Sequence, residues 1–212
     1  MDNNIFVLAI VSALSPIIGL TIGLFIRNRT RSVKFLMTLL FLTIIADILM
    51  YVLGRKSIPN LFIGNIFLLA QFLILMSIFY DALKKKHKKL ILMVSIAAIT
   101  LKIYGSIIGL SDHNSLLSTF TSISALIVCM LYFYRTLQDL PTMEIHKDPT
   151  IWIVIAALVY YSGTIFLFIV SNYFLKFDVS MHAVLWAFHN VLNIVKNILF
   201  ATALWRSLLN RI

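Results

Sequence analysis

The apolar positions of this chain gather into seven long runs, each closed by a short polar or charged gap. A helix rising 1.5 Å per residue needs about 20 mostly apolar residues to cross a hydrocarbon core of roughly 30 Å. Seven spans are therefore expected: Ile5 to Ile26, Val33 to Leu53, Leu61 to Leu83, Leu90 to Gly109, Leu116 to Tyr134, Ile151 to Tyr173 and His182 to Trp205. The gaps include Arg27-Asn28-Arg29-Thr30-Arg31, Arg55 to Asn60, Lys84 to Lys89, Ser111 to Ser115, Pro141 to Pro149 and Lys176-Phe177-Asp178. Pro and Gly interrupt helices and charge is costly in lipid, so these segments read as loops. The predicted fold class is all-α: residues 1–212 form a single seven-helix transmembrane bundle with no extramembrane domain.

Composition agrees with the pattern. Of 212 residues 61% are apolar and 12% charged, and mean hydropathy is +0.98. Soluble domains run near roughly 45–50% apolar and about 25% charged, so an ordinary globule and a disordered tail are excluded. The first run opens with Met1-Asp2-Asn3-Asn4 and lacks both a basic lead-in and a small-residue cleavage site before Arg27, which makes it a span rather than a secretory signal.

The net charge of +10 would suggest nucleic acid in a soluble protein. Here thirteen of the eighteen Lys and Arg residues, counting Lys34 at the very start of the second span, fall with loops one, three, five and the C-terminal segment, and three fall at the opposite ends of the spans. Cytoplasmic loops carry that excess, so the N-terminus is expected outside and the C-terminus in the cytoplasm, in a bacterial-type inner membrane. No nucleic-acid partner is implied. The Lys84 to Lys89 run is a candidate contact for anionic lipid or an acidic cytoplasmic partner. The single cysteine, Cys129, permits no disulfide or Cys-based metal site within one chain, and no cofactor is expected.

Some residues break the apolar pattern. Pro16 is expected to kink the first span, because it lacks a backbone donor and its ring crowds the preceding turn. Gly19 and Gly23 in that span, and Gly105 and Gly109 in the fourth, have the spacing that lets helix backbones approach, with packing inside the bundle the expected use. In the seventh span His182, Trp186, His189, Asn193 and Lys196 follow steps of four, three, four and three, which keeps them on one helical face. Such a stripe should face the bundle interior, either as interhelical glue or as a site.

Rise per residue places Asp47 and Lys102 about 21 and 18 Å from the cytoplasmic ends of their spans and His189 about 10 Å below the outer surface, all in the outer half, with Gln71 and Tyr160 or Tyr161 near mid-membrane. An Asp47–Lys102 pair, joined by His189, would offset the cost of burying these charges. Lys196 is expected to extend its ammonium toward the inner interface. The candidate site is thus a floor of Asp47, Lys102 and His189 surrounded by Gln71, Tyr161, Trp186, Asn193 and Lys196. It would hold a small or lipidic ligand in the outer half of the bundle, and a shape change would pass to a membrane or cytoplasmic signalling partner. The same residues would serve an intramembrane lipid hydrolase, with Asp47 or His189 as base, or a small carrier or proton pathway.

More specific chemistries fare less well on the residues. A retinal protein needs carboxylates beside a seventh-span lysine, yet span three offers only Asp81 at its end and Asn193 stands one turn before Lys196. A zinc hydrolase resembling the alkaline ceramidases or the adiponectin-receptor group needs three histidines, and His87, His113 and His146 all lie in predicted loops. The segment Ser162 to Asn172 loosely resembles a Gly-x-x-Leu-Phe-x-x-Ser-Asp element of the lysoplasmalogenase-like membrane family, with Asn172 in place of the acid.

The segments Asn65-Ile66-Phe67-Leu68-Leu69-Ala70-Gln71-Phe72-Leu73, Tyr160 to Phe168 and His189 to Phe200 carry a broader likeness. In these the chain resembles a family of small bacterial seven-helix proteins akin to the membrane-embedded sensor regions of histidine kinases. That resemblance implies a receptor-like, non-enzymatic membrane protein.

Overall fold

A computed structural model describes residues 3–83, 85–107, 115–138, 145–177 and 179–210. The predicted loop residues Lys84, Ser111 to Asn114, Pro141 to Glu144 and Asp178 lie outside the described residues, as do Gly109 and the side chain of His182. Among the described residues the chain is helical without strands, and seven helices are long and apolar enough to cross a membrane. The protein is a multi-pass helical membrane bundle.

The first span is broken. Helix α1 (Asn3–Leu14) and helix α2 (Pro16–Leu24) meet at Ser15. Pro16 has no N–H to give to the carbonyl of Ser12, four residues back. That carbonyl instead accepts from the Ser15 hydroxyl at 2.7 Å and the Ser15 N–H at 3.3 Å. The kink expected from Pro16 is thus present, and two serines repair the backbone around it.

Helix α3 (Arg31–Arg55) starts at Thr30, an extended cap whose hydroxyl accepts from the Val33 N–H at 3.4 Å. It ends in a Schellman-type turn. The Ile58 N–H bonds to the Leu53 carbonyl at 3.0 Å and the Ser57 N–H to the Gly54 carbonyl at 3.1 Å, with Ser57 in the left-handed region at φ 54°. Next come α4 (Leu61–Ala82), α5 (Lys85–Ile107), α6 (Ser115–Gln138), α7 (Pro149–Phe177) and α8 (Val179–Leu209).

Several helices run past their apolar cores. Lys85 to Lys89, expected in a loop, form the first turns of α5, α6 continues to Gln138, and α7 continues through Lys176 to Phe177. Lys and Arg are good helix formers, and beyond the hydrocarbon nothing requires the helix to stop.

Neighbours follow chain order around a ring: α2 against α3, α3 against α4, α4 against α5, α5 against α6, α6 against α7, and α7 against α8. Helix α8 closes the ring on α1 and α2, and α4 also reaches α6, which leaves α5 at the periphery. Leu40, Phe72, Phe79, Val128, Val154 and Phe200 are fully buried in the interior, while Phe41, Ile48, Ile96, Ile103 and Met130 face outward. This is the distribution expected when lipid replaces water outside.

Small residues set the closest approaches. A Cβ on Gly19 would lie 2.7 Å from Leu40 Cδ1 and 3.6 Å from the Ala201 backbone, and one on Gly163 would lie 2.5 Å from Leu192 Cδ1. Gly19 and Gly23 therefore serve packing within the bundle.

Polar ties fasten the basic end, which carries Arg31, Lys85 and Arg206. Arg31 pairs with Asp81 at 3.4 Å, Arg135 donates to the Ala82 carbonyl, and the Tyr132 hydroxyl donates to Asp148 Oδ2 at 2.8 Å.

Candidate functional site

The polar face of α8 passes from surface to centre along the helix. Trp186 is 45% exposed, His189 is half-buried, and Asn193, Lys196 and Asn197 are buried. Lys196 lies about 20 Å from the end of α8 at Leu209, which is mid-bilayer depth.

Its ammonium stays inside. Lys196 is only 2% exposed and its Nζ donates to Gln71 Oε1 on α4 at 3.2 Å. The same Nζ sits 4.4 Å from the centroid of the Tyr160 ring on α7, within cation–π range. The expectation that Lys196 reaches the interface is therefore corrected. Once the helix packs this position against α4 and α7, a side-chain acceptor and an aromatic face lie nearer than water.

Gln71 is fixed on its other side, where Nε2 donates to the Tyr161 hydroxyl at 3.4 Å. Aromatic edge contacts carry the network back toward the end of the bundle that bears the chain N-terminus. Tyr160 meets Tyr161 at 5.3 Å and His189 at 5.8 Å, and His189 meets Trp186 at 5.2 Å between centroids. Lys196, Gln71, Tyr160, Tyr161, His189 and Trp186 thus form one connected array.

Asp47 approaches this array from α3. Its carboxylate lies within electrostatic range of Lys196 and Tyr160. Asp47 and Lys196 do not close into an ion pair. Asp47 Oδ2 is buried without a hydrogen-bond partner, as are Thr164 Oγ1 on α7 and Asn197 Oδ1 on α8. A buried lysine and a buried carboxylate oxygen share the bundle centre without closing on each other.

Lys102 does not join them. It is half-buried on peripheral α5, and α4 stands between that helix and α3, so the expected Asp47–Lys102 pair does not form.

Asn193 takes the first of the two roles expected of the stripe and not a place in the polar centre. Its Nδ2 donates to Ser12 Oγ at 2.9 Å, and one turn on Asn197 Nδ2 donates to Ser15 Oγ at 2.8 Å. These bonds tie α8 to both sides of the break in the first span, so this part of the stripe is interhelical glue.

Tyr160, Asn197, Ser12 and Ser15 were thus missing from the expected site. Asn197 flanks the stripe in sequence and Tyr160 adjoins Tyr161, but which of two adjacent residues faces inward depends on helix rotation. The serines ahead of Pro16 carry a signal in hindsight, since a proline leaves a carbonyl that nearby hydroxyls can satisfy.

Among the described residues no three His, Cys, Asp or Glu side chains converge as a metal-binding group. The arrangement offers a cation with donors to spare, a carboxylate oxygen with no donor, and an aromatic path leading from them to the bundle's end. Comparison of the chain with protein-family models, with curated proteins and with solved structures finds no match.

Proposed function

We propose that this chain is a receptor-like membrane protein that holds a small or lipidic ligand at the Lys196–Asp47 centre and passes a shape change to a cytoplasmic or membrane partner. One observation carries the reading. Lys196 is buried at mid-bilayer depth with a neutral amide as its hydrogen-bond acceptor, while the nearby Asp47 Oδ2 has no partner. Buried charges of this kind are expensive and mark functional positions in membrane helices.

A ligand with an acceptor for Lys196 and a donor for Asp47 would satisfy both groups at once. The half-exposed Trp186 and His189 supply an aromatic approach to them. In this reading the N-terminus is outside, the basic end is cytoplasmic, the membrane is a bacterial inner membrane, and the helical Lys85–Lys89 segment meets the partner.

The test is mass spectrometry of the protein extracted with its native lipids, comparing wild type with Lys196→Met and Asp47→Asn. A bound mass present in wild type and lost in both variants supports the reading. Retention in both refutes the site. Turnover of a lipid ester that Asp47→Asn abolishes would replace the receptor with a hydrolase. Labelling of a Lys85→Cys variant from outside intact cells would invert the topology.

A further inference from the structure

Lys196 and Asp47 bring one positive and one negative charge to the bundle centre, and each still has bonding to offer. The ammonium carries three N–H donors and gives one to the neutral amide of Gln71, while Asp47 Oδ2 accepts from no donor. A third group belongs with them. Thr164 on α7 is fully buried, and its Oγ1 has no hydrogen-bond partner.

That orphan is particular to its position. A helical threonine can give its hydroxyl to the carbonyl one turn back, as the buried Thr43 does to Leu39 and Thr121 does to Leu117. Thr164 makes no such bond to Tyr160, four residues earlier. Residues four apart share a helix face, with Cβ atoms about 5–6 Å from each other. Thr164 therefore stands beside Tyr160, whose ring centroid lies 4.4 Å from Lys196 Nζ.

Depth agrees. The starts of α3 and α7 and the end of α8 border one cleft and so lie level with each other. From that level Asp47 is about 24 Å along α3, Thr164 about 22 Å along α7 and Lys196 about 20 Å along α8. Three helices thus bring polar groups with unmet bonding capacity to one layer.

We infer that the ligand of this centre is a zwitterion, bearing an oxyanion and an ammonium with N–H, and that Thr164 is one of its binding residues. The inference rests on the Lys196–Asp47 site proposed above and names the class of molecule that fills it. The oxyanion accepts from Lys196 and from the Thr164 hydroxyl, and the ammonium donates to Asp47 Oδ2. Charge balance selects this class. The charges of Lys196 and Asp47 sum to zero, and uncompensated charge at bilayer depth is costly, so a simple anion or a simple amine would leave an excess. A molecule without charge would forgo the stronger bonds that ionised partners make. Two sources share the chemistry, a free α-amino acid and the headgroup of phosphatidylethanolamine.

The test uses the full chain in nanodiscs, with bound masses read by native mass spectrometry. One arm compares discs of phosphatidylethanolamine with discs of phosphatidylcholine, whose ammonium has no N–H, and of phosphatidylglycerol, an anion without an ammonium. The other arm offers an equimolar mixture of the twenty free amino acids to protein in phosphatidylcholine discs. Wild type should retain phosphatidylethanolamine or an amino acid, which identifies the source. Titrated with the retained species, Thr164→Val should bind about tenfold more weakly, the ordinary effect of one hydrogen bond to a charged group, and Thr164→Ser should restore most of the loss.

Asp47→Asn and Lys196→Met should both release the zwitterion. A ligand of another class that both variants release would overturn the zwitterion and leave the site standing. A zwitterion that both variants retain would refute the site itself. Wild-type protein that retains neither phosphatidylethanolamine nor an amino acid overturns the inference, and a Thr164→Val variant that binds as wild type does removes Thr164 from it.

Discussion

Replacing Gln71 by Leu should destabilise the protein, whereas replacing Lys196 by Met should not. Gln71 Oε1 is the hydrogen-bond acceptor for Lys196 Nζ at 3.2 Å, and both residues are nearly fully buried, so solvent neither screens nor replaces the bond. A hydrogen bond to a charged group contributes about 1.5–3 kcal/mol, and removing the acceptor leaves the ammonium buried and undercompensated. Leu nearly preserves the volume, which keeps cavity effects small. The long 3.4 Å bond from Gln71 to Tyr161 adds little. Gln71→Leu should therefore cost about 2–3 kcal/mol.

Lys196→Met removes the charge together with its need for a partner, so it should be neutral or stabilising by about 1 kcal/mol or more. The double variant should behave like Lys196→Met, with a coupling of about 2–3 kcal/mol. Reversible unfolding in mixed micelles, followed by circular dichroism, measures all four species. Equal destabilisation by the two single variants, or no coupling, would refute the description of Lys196 as a charge held by Gln71.

Three further outcomes follow from local geometry. Ser57→Gly should raise stability by about 0.5–1 kcal/mol, because Ser57 holds φ 54° at the end of α3, and a loss on melting would contradict that strain. Gly163→Ala should cost about 1–3 kcal/mol, since its Cβ would fall 2.5 Å from Leu192 Cδ1, and normal unfolding would show the α7–α8 seam to be looser than described. Asn193→Ala combined with Asn197→Ala should speed hydrogen exchange in α1 more than in α4, because the bonds to Ser12 and Ser15 are lost; uniform exchange would sink that role.

Sequence alone determined the class of this molecule. Seven apolar runs long enough to cross a bilayer are a one-dimensional property, and lipid leaves a spanning backbone little choice but to close its hydrogen bonds as helix. The kink at Pro16 and the inward turn of Asn193 and Lys196 on α8 were legible for the same reason, since they follow from local covalent geometry and helical period, whereas Trp186 on the expected inward face stays 45% exposed.

Helix ends were less legible. Charged residues mark where lipid stops, and Lys85 to Lys89 continue as helix beyond that point. Partners were not legible at all, because they depend on which helices are neighbours and how each is rotated. Depth alone made Asp47 and Lys102 an attractive pair, but the ring places α4 between their helices and brings Lys196 to the centre instead. The tertiary structure likewise divided one uniform stripe into two parts. Asn193 and Asn197 fasten the broken first span, while Lys196, Tyr160 and His189 make the polar centre, because α8 turns successive positions of one face toward different neighbouring helices.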